Sequence, residues 1–562
     1  MAVSNEEHVT ACIPQLGCVE GIEMPGYRTE KYEAFLGVPY AKPPVGELRF
    51  KNPEPVQPWT GILRAIDSKP DCIQKNYLIP GWPVSGEEDC LYLNIYRPSH
   101  CSPDLLLPVV FYIFPGGLFT GSINPNVNGP EYLMDTGKVL LVTINYRLGV
   151  FGFLSTGDEH MPGNFGLKDQ LLALHWVKDN IAAFGGNPED VTLLGHSAGA
   201  SSVHLHTINS KAKGLFHRAI LGSGTALAPY VELLQRPLEQ ARKVAEVIGI
   251  KNAYDISTQN LTEHLRLVES EDLLNSGDSL KIWQNHILCN YHPVLEDCAL
   301  NGSYLTEDPV TVTRLGNFTQ IPWLMGMMSY HGEGGAVAIN IINNEELREE
   351  FNDQFSYLML ELLQLNNKNF SDDEKNQKMH QLLKEYMNDA QELNSNTKDG
   401  FLELITDIWF YYPWYKTLKY YLNYVDVKVN PVYLYKFSYL GTHSYAQIFT
   451  GGSMNRYDSV HLDDLLYVFR QSAVFPDFDL HSTDANLSKD FVDMLVQFIQ
   501  TGKPLYYSDI DLCTKENFQA VGDSGICNYL EFVNDNQEGF KKISSNAFPV
   551  KRMRLLQGIF GN

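Results

Sequence analysis

Three short, mostly apolar runs in the first half of the chain restrict its fold more than any other feature. They lie at 109–113, 139–144 and 191–194. Runs without polar alternation are typical of strands that are buried on both faces of a largely parallel sheet. A helix-length segment at 167–183 separates the second and third runs. This strand–helix–strand order predicts an α/β class.

The rest of the chain adds more helix than strand. The region from about 344 to 425 has a mostly helical composition and begins with the charged helix start Asn344-Glu345-Glu346. A final helix is predicted near 491–500, because Gly502-Lys503-Pro504 would end it. Three further strands are expected, at 219–222, 322–326 and 432–437.

Charge and hydropathy argue against two classes of partner. The chain has 562 residues, a net charge of -24 and a pI near 5.1. A nucleic-acid partner would need a basic face to neutralise phosphates, so none is expected. The most apolar stretch, 105–114, contains Pro108 and is half the length of a membrane span, which needs about 20 residues. The N-terminus does not resemble a signal peptide, which leaves a cytosolic protein or a signal that precedes this numbering.

The cysteines bear on the compartment. Nine occur, and none forms a Cys-x-x-Cys pair, so zinc or thioredoxin chemistry has little support. Close spacing suggests four local disulfide loops, with Cys101 left over; the alternative is a scatter of buried thiols. The four pairs are Cys12/Cys18, Cys72/Cys90, Cys289/Cys298 and Cys513/Cys527. Disulfides would indicate a secreted protein, with a cytosolic one as the alternative. Five glycosylation sequons are close to the chance number and decide nothing: Asn260, Asn301, Asn317, Asn369 and Asn486.

A Gly-x-Ser-x-Gly motif follows the third apolar run directly. It reads Gly195-His196-Ser197-Ala198-Gly199 and precedes a plausible helix. In this motif the serine occupies a strained turn between strand and helix, and larger flanking side chains would collide with neighbouring backbone. Short matches also occur in ordinary glycine-rich turns. The position after a buried strand favours Ser197 as a catalytic nucleophile.

A glycine-rich loop at 114–121 follows the first apolar run. A serine that attacks a carbonyl needs N–H groups that stabilise the oxyanion. One is expected from Ala198, the residue after the serine, and others from a loop after an earlier strand. Gly116 and Gly117 can present N–H groups, whereas Pro115 has none. Alone this loop would more often be a plain turn, but together with Ser197 it indicates an oxyanion hole.

The acid is expected after a later strand. In the α/β-hydrolase fold the nucleophile is followed along the chain by Asp or Glu and then by His. The strand predicted at 322–326 runs into a loop in which Glu333 stands between glycines. A carboxylate just past a strand end can approach an imidazole closely. Glu333 is therefore the candidate acid, although an isolated Glu in a loop is usually solvated.

Two histidines compete for the role of base. His443 follows the strand predicted at 432–437, and His461 lies in a loop that enters an apolar helix. The acidic neighbours of His461 could cap that helix. They would also suit a metal, but no other ligand stands at helical metal spacing, so no metal is expected. The other histidines beyond Glu333 lie in a charged helical stretch and a polar loop: His380 and His481.

Long motifs across nearly the whole chain resemble the type-B carboxylesterase and cholinesterase family. The run 195–206 is most similar to insect carboxylesterases. The resemblance implies an α/β-hydrolase fold with a large, mostly parallel central sheet flanked by helices. The motifs are Phe35-Leu36-Gly37-Val38-Pro39-Tyr40-Ala41, Glu88-Asp89-Cys90-Leu91-Tyr92-Leu93-Asn94, Asn145-Tyr146-Arg147, Gly163-Asn164, Asp169-Gln170, Gly195-His196-Ser197-Ala198-Gly199, Glu333-Gly334 and His461-Leu462-Asp463-Asp464-Leu465.

The resemblance also implies residue roles. It favours His461 over His443 as the base of a triad with Ser197 and Glu333. Aligned from Gly222-Ser223-Gly224, the family's acyl-pocket tryptophan corresponds to Tyr230. Structural pairs are implied as well: a Cys72–Cys90 disulfide and buried Arg49–Glu88 and Arg147–Asp169 ion pairs. Because the triad spans positions 197 to 461, we expect a single domain over 1–562 with a helix-rich insertion at about 344–425.

The chain departs from the family at four positions. Phe114 and Pro115 stand where members usually have His or Tyr followed by Gly. His196 replaces the glutamate that cholinesterases carry before the serine, and juvenile hormone esterases typically have Gln there. Pro80 stands where cholinesterases have the tryptophan that holds choline, and Trp82 is out of register. These departures favour neutral, apolar esters over choline esters.

The resemblance leaves two functions to weigh. The first is a serine carboxylic-ester hydrolase that works through an acyl-serine, with a small-molecule ester as its partner and no cofactor. Xenobiotic, odorant, pheromone and hormone esters are all candidate substrates. The alternative is a non-catalytic cholinesterase-like adhesion or binding protein. The presence of all three triad residues favours the enzyme.

Overall fold

A single mixed β-sheet forms the centre of the computed structural model. The structure describes residues 7–28, 31–79, 81–99, 106–284, 286, 288–366, 368–452, 458–520, 522 and 525–561. Within these ranges the sheet has thirteen strands. They are β1 His8–Ile13, β2 Gly17–Pro25, β3 Lys31–Pro39, β4 Ile62–Arg64, β5 Tyr92–Pro98, β6 Leu107–Ile113, β7 Leu140–Ile144, β8 Gly186–His196, β9 Arg218–Gly222, β10 Trp323–Met328, β11 Val432–Phe437, β12 Gly525–Asp535 and β13 Gly539–Ala547.

The sheet is parallel in its middle and antiparallel at both edges. Its order is β1-β2-β3-β5-β7-β6-β8-β9-β10-β11-β12-β13, with β4 paired to β2. Every pairing from β7 to β12 is parallel. The predicted α/β class and parallel centre are confirmed. The antiparallel edges were not predicted, because strands such as β13 are only partly buried and lack continuous apolar runs.

Helices flank the sheet and fill the second half of the chain. They are α1 Glu131–Met134, α2 Gly149–Phe153, α3 Phe165–Asn180, α4 Ala198–Thr207, α5 Pro237–Val247, α6 Thr258–Arg266, α7 Ser270–Ser276, α8 Pro309–Arg314, α9 Gly335–Asn343, α10 Glu345–Asp353, α11 Phe355–Leu362, α12 Asp372–Met387, α13 Lys398–Thr406, α14 Tyr412–Tyr424, α15 Ala446–Phe449, α16 Thr483–Thr501, α17 Lys515–Ala520 and α18 Val550–Phe560. A π-helical turn, Asp407–Tyr411, joins α13 to α14. Of the helices in the described ranges, none has the length and apolarity to cross a bilayer.

Helix boundaries follow the capping residues of the sequence. The helix start predicted at Asn344-Glu345-Glu346 is that of α10. Asn344 caps this helix by accepting a hydrogen bond from the N–H of Leu347. The helix expected near 491–500 is α16, which ends at Thr501 and is capped by Gly502 with a φ of 74°. The prediction that it is the last helix is wrong, because α18 follows it. The single-domain organisation and its insertion stay a prediction.

Among the described residues, three disulfides join neighbouring segments. Cys12–Cys18, Cys72–Cys90 and Cys513–Cys527 are bonded. The expected Cys289–Cys298 pair is wrong, because Cys289 is buried as a free thiol and Cys298 is a free, exposed one. Sequence proximity did not predict this separation, since it depends on how the loop 289–298 packs. Cys101 and Pro80 lie outside the described residues.

Two ion pairs anchor loops near the parallel centre. Arg147 binds Asp169 through two hydrogen bonds of 2.7 and 2.8 Å, and both side chains are buried. Arg49 binds Glu88 through two hydrogen bonds, the one from Nε being 2.7 Å. Both pairs implied by the family resemblance are therefore confirmed. A guanidinium pairs well with a carboxylate in this bidentate geometry, which holds the two segments of each pair in a fixed orientation.

Candidate active site

Ser197 lies at the carboxyl end of β8, in the turn that leads into α4. Its backbone has a φ of 56° and a ψ of −125°, a strained conformation for a residue with a side chain. A Cβ atom at Gly195 would lie 2.4 Å from the carbonyl group of Gly199, and one at Gly199 would lie 2.1 Å from the carbonyl oxygen of Ile113. Both glycines are therefore needed for this turn, which exposes the serine at the edge of the sheet.

The glycine-rich loop lies beside this turn because β6 pairs with β8, with Ile113 opposite Gly195. Gly116 and Gly117 have φ values of 122° and 60°, which favour glycine. Within the described residues, the N–H groups of Gly116 and Gly117 donate to no acceptor. Ala198 begins α4, where the first N–H groups of a helix have no intrahelical partner.

Phe114 replaces the polar residue that is usual in the family and packs as an aromatic. Its ring stacks on that of Tyr146, with centres 4.5 Å apart. The hydroxyl of Tyr146 also donates to the carbonyl oxygen of Phe114 at 3.3 Å. The start of the loop is thus held by stacking and by its backbone, so the substitution leaves the glycines that follow in place.

Glu333 is held in the loop between β10 and α9. Its side chain is fully buried. Oε2 accepts hydrogen bonds from the backbone N–H of Met328 and from the Ser223 hydroxyl at 3.1 Å. The N–H of Gly334 donates to Thr406 Oγ1 at 2.8 Å, which ties the loop to α13. These contacts leave Oε1 of Glu333 to face His461.

His461 is the candidate base that meets Glu333. Its Nδ1 lies 2.7 Å from Glu333 Oε1, and its backbone N–H donates to the carbonyl oxygen of Gly332. Burial lowers the pKa of His461, while the hydrogen bond and charge of Glu333 act in the opposite direction. The imidazole is therefore neutral near pH 7, the state in which it can accept a proton. The rival, His443, instead stacks between Phe475 and Phe478, with ring centres 5.4 and 5.6 Å from its own.

A small cavity of about 30 Å³ joins these elements. Ser197, His461, Gly116, Gly117 and Tyr230 all line it. Its other walls are apolar or uncharged: Leu78, Phe119, Leu288, Cys289, Ala336, Val337, Trp409, Phe410, Phe449 and Leu462. Among the described residues that line the cavity, His461 is the one basic group and none is a carboxylate. The cavity therefore suits an apolar ligand that places a reactive group against Ser197.

Sequence reasoning missed several of these wall residues. Trp409 and Phe410 reach the cavity from the π-helical turn, and Phe410 packs on His461 with ring centres 4.7 Å apart. Cys289 contacts the glycine loop, since a Cβ atom at Gly117 would lie 3.0 Å from its sulphur. Periodicity marks such residues only as core. A π-turn inside a helical stretch leaves no clear sequence signal, although such turns are frequent at functional sites.

A buried pair behind His461 was also missed. His196 Nε2 lies 2.9 Å from Asp464 Oδ1. The neighbouring carboxylate, Asp463, instead accepts hydrogen bonds from the N–H groups of Val460 and Tyr445. These acids were noted in the sequence as possible caps or metal ligands. Among the described residues, no group of three His, Cys, Asp or Glu side chains converges as a metal site.

Known proteins resemble this chain in both sequence and fold. The family-wide sequence pattern of the carboxylesterase family matches residues 6–552. A juvenile hormone esterase of Tribolium castaneum is 38% identical over 485 residues, which are 84% of this chain and 80% of that protein. A carboxylic ester hydrolase of Bombus ignitus is 35% identical over 496 residues, 87% of this chain and 85% of that protein.

A solved structure extends the likeness to three dimensions. The juvenile hormone esterase of Manduca sexta, with OTFP covalently attached, has a TM-score of 0.84 at 27% identity and covers 99% of this chain and 100% of that chain. The α/β-hydrolase fold is thereby established. The named relatives are esterases, which supports the catalytic function over a non-catalytic binding protein. The chain therefore belongs to the carboxylesterase family and is a serine hydrolase of carboxylic esters.

Proposed function

We propose that Ser197, His461 and Glu333 form the catalytic triad. The Ser197 hydroxyl attacks the ester carbonyl while His461 accepts its proton at Nε2. Glu333 orients the imidazole and stabilises its positive charge through Nδ1. The observation that carries this proposal is the 2.7 Å contact between Glu333 and His461 in the same cavity as the strained Ser197.

Hydrogen bonds from the N–H groups of Gly116, Gly117 and Ala198 stabilise the negative charge that develops on the carbonyl oxygen. His461 returns its proton to the leaving alcohol, and an acyl-Ser197 remains. Water then attacks this ester with the same base and releases the acid. The two glycine N–H groups support the assignment because they donate to no other acceptor among the described residues.

The substrates that fit best are neutral, apolar carboxylic esters. Tyr230 supplies the aromatic wall of the acyl side, and its ring lies 5.8 Å from that of Phe410. No carboxylate among the described residues lines the cavity, and Trp82 is not part of its wall. Two of the similar proteins are named juvenile hormone esterase, so hormone esters stay candidates beside xenobiotic and odorant esters.

An active-site titration tests the triad. An organophosphate should inactivate the enzyme with one adduct per chain, located on Ser197 by peptide mass spectrometry. Ser197→Ala should take up no adduct and lose activity on aryl esters. A panel of aryl esters of graded acyl length, with juvenile hormone included, then defines the substrate. An adduct on another residue with full activity retained in Ser197→Ala would contradict the assignment.

We also propose that the protein works outside the cell. Three disulfides within the described residues support this, because such bonds persist in oxidising compartments. Detection of the active enzyme in the extracellular fluid of the tissue that expresses it from its own gene tests the proposal. Retention of all activity inside the cell would contradict it.

A further inference from the structure

A second cavity, of about 160 Å³, lies behind the wall of the candidate active site. The two cavities share two wall segments. In the 3-10 turn Pro229–Val231, Tyr230 lines the active site and Val231 lines the second cavity. In the π-helical turn, Phe410 lines the active site and Ile408 lines the second cavity. The second cavity is therefore separate from the candidate triad, but its occupant would contact the reverse side of the same wall.

The inner part of the second cavity is apolar. Ala228, Val231 and Ile408 line it, and all three side chains are buried. Pro413 and Phe560 add further apolar surface. An apolar cavity of about 150 Å³ binds a ligand the size of benzene. The second cavity therefore has room for a ring or a short alkyl chain.

Four charged side chains also line the second cavity: Glu232, Asp308, Lys368 and Lys416. Glu232 forms an ion pair with Lys368, and these two side chains are 39% and 30% exposed, so they lie at the mouth of the cavity. Asp308 caps α8, and its Oδ2 accepts hydrogen bonds from the N–H and the hydroxyl of Thr311 at 2.9 and 2.7 Å. Three of the four charged groups thus already have a partner.

Lys416, on α14, is the exception. Its Nζ lies 5.4 Å from the centre of the Tyr412 ring, but within the described part of the chain it forms no hydrogen bond and no ion pair. Burial, together with the charge of Lys368, lowers the pKa of Lys416 to about 8. The side chain is therefore a cation at pH 7 without a close counter-ion. Because a partly buried charge is costly unless it is paired, an anion beside Lys416 would be stabilised.

We propose that the second cavity binds a carboxylate with an apolar chain, and that Lys416 binds the carboxylate. Small-molecule sites combine apolar walls with a few polar groups that fix the orientation of the ligand, as this cavity does. The hydrolysis of a carboxylic ester releases an acid of this class, so the ligand is produced at the neighbouring site. The proposal holds whichever residues form the triad.

Calorimetric titration tests the site. The enzyme is first inactivated with an organophosphate, which keeps the acid out of the active-site cavity. Octanoate should then bind at one site at pH 7. Octan-1-ol should bind roughly tenfold more weakly, because a hydrogen bond to a charged group contributes on this scale. Absence of octanoate binding, or equal affinity for the acid and the alcohol, would overturn the proposal.

Variants of two lysines on α14 assign the carboxylate contact. Lys416→Gln should weaken octanoate binding by roughly tenfold and leave octan-1-ol binding unchanged, whereas Lys416→Arg should keep the affinity for octanoate. Lys419→Gln is the matched control, because Lys419 is not among the residues that line the second cavity and its Nζ lies 3.4 Å from Gln557 Oε1. An equal loss in Lys419→Gln, or no loss in Lys416→Gln, would contradict the assignment.

Photo-crosslinking of the wild-type enzyme locates the ligand without any variant. A diazirine analogue of octanoic acid should label peptides that contain 308–310 and 412–416, which line only the second cavity, both before and after organophosphate treatment. Label confined to active-site peptides and lost on treatment would overturn the proposal. A wrong triad assignment would place the organophosphate away from Ser197 but leave this labelling unchanged, so the two proposals fail separately.

Discussion

Glu333 and His461 are 128 positions apart in the chain, yet their side chains meet at 2.7 Å. The contact is possible because the loops that carry them are joined by backbone: the N–H of His461 donates to Gly332, and the Ser329 hydroxyl donates to the carbonyl oxygen of Ser459. The acid and the base are thus held as one unit at the carboxyl ends of parallel strands, where ligands bind in α/β sheets.

The first prediction concerns this unit. Ser197→Ala, Glu333→Ala and His461→Ala should each lower kcat on an aryl ester by roughly 10³ or more, because each removes a member of one acid–base chain. His443→Ala is the matched control and should be mild, since His443 is not among the residues that line the cavity. An inactive His443→Ala beside an active His461→Ala would show that the base is misassigned.

The second prediction concerns the oxyanion loop. Gly117→Ala should lower kcat by roughly 10², because loss of one oxyanion donor has an effect of this size. The added Cβ would lie 2.4 Å from the ring of Phe119 at a backbone φ of 60°, so the ring must move or the loop must shift together with its N–H. Gly185→Ala is the control: Gly185 also has a positive φ, of 84°, but its Cβ would meet nothing within 4 Å. Comparable loss of kcat in both variants would point to backbone strain rather than to a lost donor.

The third prediction concerns substrate charge. A quaternary ammonium is held by an aromatic face and a nearby carboxylate. The described cavity wall contains no carboxylate, and the residue before the nucleophile is His196. The global charge of -24 attracts cations, but this attraction is screened beyond about 8 Å at physiological salt. An uncharged thioester should therefore exceed butyrylthiocholine in kcat/KM by roughly tenfold. A higher value for the choline ester would refute the argument.

The fourth prediction concerns pH and stability. Hydrogen bonds from His331 to Asp458 and to Glu403, at 3.1 and 3.0 Å, raise its pKa to about 10. In the unfolded chain a histidine has a pKa of about 6.5. The contribution of protonated His331 to the stability of the folded protein is therefore complete below pH 6.5 and is lost as pH rises through 10. The Tm difference between wild type and His331→Gln should therefore shrink steadily over that window. Thermal melts from pH 6 to 10.5 measure it, and a difference that is constant or grows with pH would contradict the ion-pair explanation.

The fifth prediction concerns thiols. Non-reducing peptide maps should recover Cys72 linked to Cys90. Cys298 should be alkylated in the native protein because it is exposed. Cys289 should react only after denaturation, since burial raises its pKa to about 12 and leaves almost no thiolate at pH 8. Recovery of a Cys289–Cys298 peptide would instead restore the pairing that their spacing suggested.

The sequence by itself determined the features that depend on a few adjacent residues. Apolar runs predicted the parallel strands from β6 to β11, and the glycines around Ser197 predicted its turn, since only small residues allow that close approach of backbone. Chain order and a strand end pointed to Glu333. Helix starts such as Asn344 followed from capping, which is also local.

Tertiary structure alone decided what depends on packing between distant segments. The periodicity of 407–411 cannot show that Phe410 turns toward His461, and spacing cannot show that Cys289 packs under Gly117 rather than bonding Cys298. Local patterns left His443 and His461 as rivals; the family resemblance favoured His461, and the structure brings His461 rather than His443 against Glu333. The His196–Asp464 pair is the clearest case, because no local pattern predicts that these two residues meet, and their contact exists only once β8 and the turn after His461 come together.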